Sequence, residues 1–404
     1  MTHMLRILLL YSNTGGGHKA SADALQQEFA RRDARYQVFM DDVLLQRTFW
    51  PLSESDRFYF WSVSKAPWFW KALYRSVARR EVYTTLNKTL GPVLGPRLRH
   101  LYERVNPDVV VSLHPLLNHL PRRVLQRWVR ERQRPSVPFV TVMTDLTTFH
   151  PAWVDPEVDA ITVATQEAYA GVIRLGAASD KVHVLGLPLR RAFRECPSNR
   201  SMWRERLGLH PSKPTVLVMG GGQGMGPVEA IVREIAHRCN RVQLVVVAGR
   251  NKALQHRLRS TTWAVPVRVL GFVETIHEWM AASDVLVTKA GPGTLAEAMV
   301  CGLPVLLYGY VPGQEEGNVT FVLKHRIGAF ATKPRQIAST LQTWFSAGEE
   351  ALEAMRARTR ALGHADATER VVDLLLEMVQ AARQDVFLSV LRRRSVPVDS
   401  LQVK

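Results

Sequence analysis

The sequence predicts an α/β protein built from two Rossmann-like domains that face each other across a cleft. Three observations lead there. Short, continuous apolar runs of strand length alternate with helix-length stretches along most of the 404 residues, the rhythm of a parallel sheet covered on both faces by helices. That rhythm lapses in a polar, strand-poor stretch at residues 194–214 and then begins again. Glycine clusters stand between strand and helix in both halves.

The first strand is the apolar run 6–11. With the residues before it, it resembles a weak signal peptide, but it lacks a small-residue cleavage site and runs straight into a glycine loop, so it reads as a strand. The loop opens "SNTGGGHKASADAL", and the helix after it, residues 18–31, places Ala20, Ala24, Leu25 and Phe29 on one face. Val38–Met40 leads into Asp41 and Asp42. Further strands are expected at 108–113, 139–144, 160–165 and 182–185. The second series runs 215–219, 243–248, 267–270, 285–288 and 304–307. Residues 349–384 read as one helix, followed by a basic tail with Arg392, Arg393 and Arg394. The boundaries that follow are 1–193, a linker 194–214, 215–365, and a C-terminal segment 366–404.

Composition narrows the function classes. The net charge of +17 makes a surface that attracts anions, whether nucleic acid, anionic lipid or phosphorylated substrates. Cys196, Cys239 and Cys301 are scattered with no CxxC pair, which argues against a zinc site or a disulfide framework and fits a reducing cytoplasm. No apolar run approaches the roughly 18 residues that span a bilayer.

The glycine clusters suggest anion binding, because a helix start offers unpaired N–H groups and partial positive charge. Gly15–Gly17 fit neither GxGxxG nor a phosphate loop. Gly220, Gly221, Gly222, Gly224 and Gly226 form the second cluster; Gly291 and Gly293 flank Pro292 in the third, with Thr294 expected to open a helix. Loops at strand ends converge on one cleft when two such sheets face each other. Glu297 has two readings: the acid of a Thr294-x-x-Glu297 capping box, or a carboxylate accepting ribose hydroxyls. The loop "GYVPGQEEGN" offers Gln314, Glu315 and Asn318 to sugar hydroxyls, or is simply solvated. Asp145 closes a strand beside the cleft, where a general base is well placed. A nicotinamide-dependent dehydrogenase with Asp41 or Asp42 on the ribose is disfavoured by the glycine spacing; a basic binding protein without catalysis is a further alternative.

Taken in order, "SNTGGGHKASADAL", "HPLLNHLP", "TDLTTFHPAWVDPEVD", "KAGPGTLAEAMVCGLPVLL" and "PGQEEGNV" closely resemble the monogalactosyldiacylglycerol synthase and processive diacylglycerol glucosyltransferase family, relatives of the peptidoglycan N-acetylglucosaminyltransferase. The resemblance implies a GT-B fold whose C-terminal helix crosses back to the N-terminal domain. It implies an N-terminal domain that takes diacylglycerol at a membrane and a C-terminal domain that takes a UDP-sugar. The implied reaction is transfer of glucose or galactose with inversion, giving a β-glycoside, without metal or other cofactor; the absence of any Asp-x-Asp triplet agrees. An N-acetylglucosamine transfer to a polyprenyl-linked acceptor is the alternative.

By the same resemblance Gly17, Gly221, Gly222 and Gln223 lie at the donor, Phe272 and Val273 hold uracil, and Gly291, Gly293 and Thr294 meet the diphosphate. Glu297 grips the ribose, and Gln314, Glu315 and Asn318 meet the sugar. His18 or Asp145 is the base, a choice that stays open. His114, His150 and Trp153 belong to the acceptor side. Residues 49–74 carry Trp50, Trp61, Trp68 and Trp70 among basic residues such as Lys65, Lys71 and Arg75. That mixture suits an anionic membrane interface rather than nucleic acid. Trp61 and Trp68 are therefore expected to meet lipid, and the protein is expected in the cytoplasm, peripheral on the inner face of the cell membrane.

Overall fold

The computed structural model describes residues 4–13, 16–46, 58, 61–63, 65–78, 80–195 and 199–394. Gly15, Trp50, Arg79 and Cys196 lie outside these residues.

Two parallel six-stranded sheets form the frame. The first holds β1 (Leu5–Tyr11), β2 (Tyr36–Asp42), β3 (Val109–Ser112), β4 (Phe139–Val142), β5 (Ala160–Val163) and β6 (Val182–Val184) in the order β2-β1-β3-β4-β5-β6. The second holds β7 (Thr215–Met219), β8 (Gln243–Val247), β9 (Val267–Leu270), β10 (Val285–Lys289), β11 (Val305–Gly309) and β12 (Gly328–Phe330) in the order β12-β11-β10-β7-β8-β9. The strand order reverses direction between β1 and β3 and between β7 and β10. At such switch points the loops leaving the carboxyl ends part and leave a crevice for a ligand.

The continuous apolar runs have a direct physical cause, since both faces of each sheet are covered. Along β1, Ile7 and Leu9 pack into one core while Leu8 and Leu10 pack into another on the opposite face. In β7, Val216 and Val218 turn to one core and Leu217 and Met219 to the other. β12, a three-residue strand only half buried, carries too few apolar positions to announce itself in sequence.

Residues 349–384 are not one helix. The chain forms Glu349–Ala361, breaks, and resumes as Ala367–Arg394. The break falls where Gly363 passes under the Pro292–Val300 helix, so close that a β-carbon on it would stand 2.6 Å from the Met299 carbonyl oxygen. The resumed helix crosses to the first domain. Val371, Val372, Leu375 and Val379 join Ile7, Leu9 and Phe29 in one core, each contributing about 1.5–3 kcal/mol by burial. Arg32 pairs with Asp373, and Arg383 with Asp108 at 3.0 Å.

The outgoing and returning crossings are bonded to each other. Leu189 N–H donates to Thr368 Oγ1 at 2.9 Å, and the Thr368 hydroxyl donates back to the Leu189 carbonyl at 2.6 Å. Gly186, at φ +93°, lets the outgoing chain pass beside His364. At another edge the domains also touch: Thr147 Oγ1 donates to Asn318 Oδ1 at 2.8 Å, and Glu167 accepts from Lys324 at 2.7 Å.

Candidate active site at the facing sheet edges

The acceptor-side half is assembled from three chain segments that end at the carboxyl edge of the first sheet. Gly16 sits at φ +83°, a left-handed geometry that turns the chain into the helix Gly17–Arg32. Gly17 is exposed and His18 half-buried. His18 Nδ1 lies 2.6 Å from Thr144 Oγ1, and its ring meets that of His114 edge-on at 4.7 Å. Burial lowers the His18 pKa to about 4, opposed in part by a hydrogen bond to the Leu113 backbone. The imidazole is therefore neutral at ordinary pH.

His114 and His150 share a local design. Each is followed by proline and caps a short 3-10 turn, its Nδ1 accepting from the backbone N–H two residues on, Leu116 at 3.3 Å and Ala152 at 3.1 Å. Proline suits the first turn because its missing N–H is not needed there. Both histidines are buried, and burial depresses their pKa values, that of His150 to about 4. Among the described residues His150 Nε2 is buried without a partner, and its ring faces Tyr74 at 5.1 Å.

Asp145, just past β4, accepts a hydrogen bond from Trp153 Nε1 at 2.7 Å. Trp153 is fully buried, and its ring also lies 6.0 Å from that of His18. Burial pushes the Asp145 pKa up to about 7; the Trp153 bond lowers it, and the charge of Glu315 raises it. That last effect is cross-domain: a carboxylate of the second sheet is felt by a carboxyl group of the first.

The donor-side half is a nest of glycine loops reached by two cations, Lys289 and Arg250. The loop after β7 curls on itself, with Met225 N–H on the Gly220 carbonyl at 2.9 Å and Gly224 N–H on the Gly221 carbonyl at 3.0 Å. Gly221 is left-handed at φ +68°, and Gly222 and Gln223 are exposed. Lys289, at the end of β10, reaches into this nest. Its Nζ lies 2.5 Å from Glu315 Oε1 and 3.0 Å from where a β-carbon on Gly291 would stand. Glu315 Oε2 also accepts from Val311 N–H at 2.8 Å, so both carboxylate oxygens are engaged. Gly313 and Gln314 directly precede it.

The helix Pro292–Val300 begins with Gly291 as its cap and no side-chain cap bond. Thr294 is its third residue, next to Gly293, and the capping box is not formed. Glu297 makes no hydrogen bond or ion pair among the described residues; burial raises its pKa to about 7, and Arg190 pulls the other way. Phe272 is 52% exposed, with the Arg250 guanidinium 4.1 Å above its ring; Val273 beside it is half-buried against the core. Asn318 is buried between the domains, its Nδ2 donating to the Ala290 carbonyl at 2.8 Å while Oδ1 accepts from Thr147. Both ends of that amide position the turn.

Trp61 and Trp68 are not in the histidine cluster. They are 56% and 75% exposed and belong to an aromatic patch with Phe58 and Phe69. Lys289, Thr144 and Arg250 were not anticipated as site residues. The signal for Lys289 was present: a single cation closing a buried apolar strand, directly before the glycines in "VLVTKAGPG". The arrangement sets a carboxyl group titrating near neutrality opposite a cation and open glycine loops, the parts needed to move a proton and to hold an anionic leaving group.

Known proteins match in kind. The family described as monogalactosyldiacylglycerol (MGDG) synthase matches residues 18–189, and the glycosyltransferase family 28 C-terminal domain matches residues 215–371. The chain is 37% identical over 394 residues to the chloroplastic monogalactosyldiacylglycerol synthase of Spinacia oleracea, covering 95% of this chain and 74% of that one. It is 35% identical over 383 residues to monogalactosyldiacylglycerol synthase 1 of Arabidopsis thaliana, covering 93% and 71%. Among solved structures, Acinetobacter baumannii MurG superposes with TM-score 0.57 at 14% identity, covering 92% and 99%. Anabaena Alr3699/HepE in complex with UDP-glucose superposes with TM-score 0.53 at 14% identity, covering 93% and 99%. These two share the GT-B fold. The spinach and Arabidopsis relatives are chloroplastic, which overturns the expected place on the inner face of the cell membrane. Among the described residues no helix is long and apolar enough to cross a membrane.

Proposed function

The chain belongs to the monogalactosyldiacylglycerol synthase family, and from that premise we propose that it transfers galactose from UDP-galactose to the free hydroxyl of diacylglycerol, making a β-galactosyl glycerolipid. The observation that carries the chemistry is Asp145 on one sheet edge, with a pKa of about 7, sensing the charge of Glu315 beside Lys289 on the other. Diacylglycerol enters from the histidine side and the nucleotide sugar lies on the glycine loops.

In this reading the acceptor oxygen attacks the anomeric carbon from the face opposite the diphosphate. Asp145 takes the hydroxyl proton, the bond from the anomeric carbon to the β-phosphate oxygen breaks, and UDP leaves with the electron pair. The configuration inverts. Lys289, the N–H groups of Gly221 and Gly222 and the start of the Pro292–Val300 helix face the charge that builds on the diphosphate. We propose that these supply the positive charge and that no metal is required. Glu297, unpaired among the described residues, is the acceptor for ribose hydroxyls, and the exposed Phe272 ring lies against uracil. His18 is neutral and tethered by Thr144, so its role is to orient the acceptor hydroxyl rather than to take its proton.

The test is turnover on diacylglycerol micelles with UDP-galactose and UDP-glucose in parallel, with and without EDTA. A β-linked galactolipid made equally well in chelator supports the reading. Product from UDP-glucose alone reassigns the sugar, loss in EDTA removes metal independence, and no glycolipid from either donor sinks the acceptor assignment.

A further inference from the structure

The motif HPLLNHLP, residues 114–121, holds a polar side chain that the proposed reaction does not use. Asn118 is fully buried and stands between the 3-10 turn Pro115–Leu117 and the helix His119–Glu131. Asparagine in that place ordinarily caps the helix it precedes, but the Asn118 side chain makes no cap bond. It reaches sideways instead. Its Nδ2 donates to the carbonyls of Pro115 at 3.2 Å, Ala152 at 3.1 Å and Trp153 at 3.4 Å. Its Oδ1 accepts from Thr141 Oγ1 at 2.9 Å. Carbonyls can only accept, so these partners fix which end of the amide faces which way, and they use up both of its N–H groups.

One amide thus ties together three segments that end at the site. Thr141 lies in β4, the strand that leads to Asp145. Pro115 follows His114, whose ring meets that of His18. Ala152 and Trp153 belong to the turn Pro151–Trp153, and the Trp153 indole donates to Asp145 Oδ2 at 2.7 Å. A bond at the Trp153 carbonyl fixes the peptide plane from which the indole projects. Hydrogen bonds weaken steeply once misaligned, so a tilt of that plane is felt at Asp145. Arg122, one helical turn after Asn118, holds the same loop at Asp155, its Nε donating to Oδ2 at 2.6 Å. The loop therefore has an attachment to this helix that does not depend on Asn118.

We infer that Asn118 is a positioning residue for the reaction: it keeps the Trp153 indole on Asp145 without touching substrate. The inference rests on Asp145 as the proposed base. The other titratable groups around Asp145 come from other elements. Glu315, held by Lys289, acts on it from the second domain. His18 stands on the neighbouring Thr144 with His114 beside it, and His150 caps the turn that carries Trp153. Among the described residues no side-chain hydrogen bond of Asn118 goes to any of these groups, so its effect on the base runs through Trp153.

The experiment follows kcat/KM against pH for the full chain, with diacylglycerol micelles and UDP-galactose. Asn118→Leu keeps the approximate shape and removes the hydrogen bonds of the amide. Its acidic limb is expected to move alkaline by about half a unit or more, part of the worth of one charge-assisted hydrogen bond. With it kcat falls about tenfold while UDP affinity is unchanged. Asn118→Leu added to Trp153→Phe moves the limb no further than Trp153→Phe alone, because the bond that Asn118 protects is already gone. Where Asn118→Leu does not fold, Thr141→Val, which removes one partner of the amide, is read in its place and shifts the limb in the same direction. A limb that stays where it is in the folded variant, or shifts of the single variants that add in the double one, overturns the inference and leaves Asn118 a stitch of the fold alone. A limb retained in Asp145→Asn would instead remove the base, so the two failures are told apart.

Discussion

The indole N–H of Trp153 donates to Asp145 Oδ2 at 2.7 Å, a bond that holds down the pKa of a carboxyl group that burial drives up to about 7. A base must be ionised to accept a proton, so activity rises with pH through that value. Replacing Trp153 by Phe removes the bond, and the acidic limb of the kcat/KM profile is expected to move about one unit alkaline, the worth of one charge-assisted hydrogen bond. The pH profile of the variant checks this; an unmoved limb separates Trp153 from the base.

In the proposed reaction His18 orients the acceptor and Asp145 is the base, and their variants are expected to differ in kind. Asp145→Asn is expected to lower kcat by about 10²–10⁴ and to abolish the limb near neutrality. His18→Ala slows turnover but keeps that limb, because an imidazole with a pKa of about 4 does not titrate there. Thr144→Val frees the His18 ring and is expected to lower kcat about tenfold with UDP affinity unchanged. A lost limb in His18→Ala would make histidine the base.

Lys289 holds Glu315 and, in the proposed reaction, also faces the leaving group. Lys289→Met leaves Glu315 buried without its cation, and a lower Tm is expected. Glu315→Gln added to it recovers the Tm. Turnover stays at least about tenfold down in both, because the charge facing the leaving group is gone. Recovery of turnover with the Tm would assign Lys289 to folding alone.

Glu297 links pH to stability. Its folded pKa of about 7 stands above the ordinary 4.5, so between those values the folded chain holds a proton that the unfolded chain has lost. Its contribution therefore favours folding at low pH and is lost as pH rises toward neutrality. Glu297→Gln is expected to flatten that slope and raise the Tm at pH above about 7, while weakening UDP binding about tenfold or more. Thermal unfolding and UDP titration across pH read the two effects; an unchanged slope would place the carboxylate in water.

What was legible in the sequence was whatever burial writes locally. β1 and β7 are buried on both faces and show continuous apolar runs, Ile7–Leu10 and Val216–Met219. The glycine-rich turns after β1 and β7 stand between strand and helix and carry left-handed backbone at Gly16, Gly221, Gly224 and Gly226, which glycine adopts most readily. The pairs that make the site were not legible as pairs. Asp145 with Trp153, His18 with Thr144 and Lys289 with Glu315 are joined by topology, and nothing near any of them in the chain names its partner. The break before Ala367 was hidden for the same reason, since Gly363 is required by the distant Met299 carbonyl. His114 and His150 are the opposite case: His-Pro before a turn already spells a capped 3-10 start.

The paired crossings at Leu189 and Thr368 have a mechanical consequence. Two chain segments bonded side by side form a doubled spine, which resists twist and shear and leaves one easy motion, rotation about their common line. Among the contacts that must part for that rotation are Thr147 on Asn318, Glu167 on Lys324 and Lys71 on Glu316. Any opening of the cleft about that line is expected to leave Leu189 and Thr368 bonded, so the two halves keep a common register as they part.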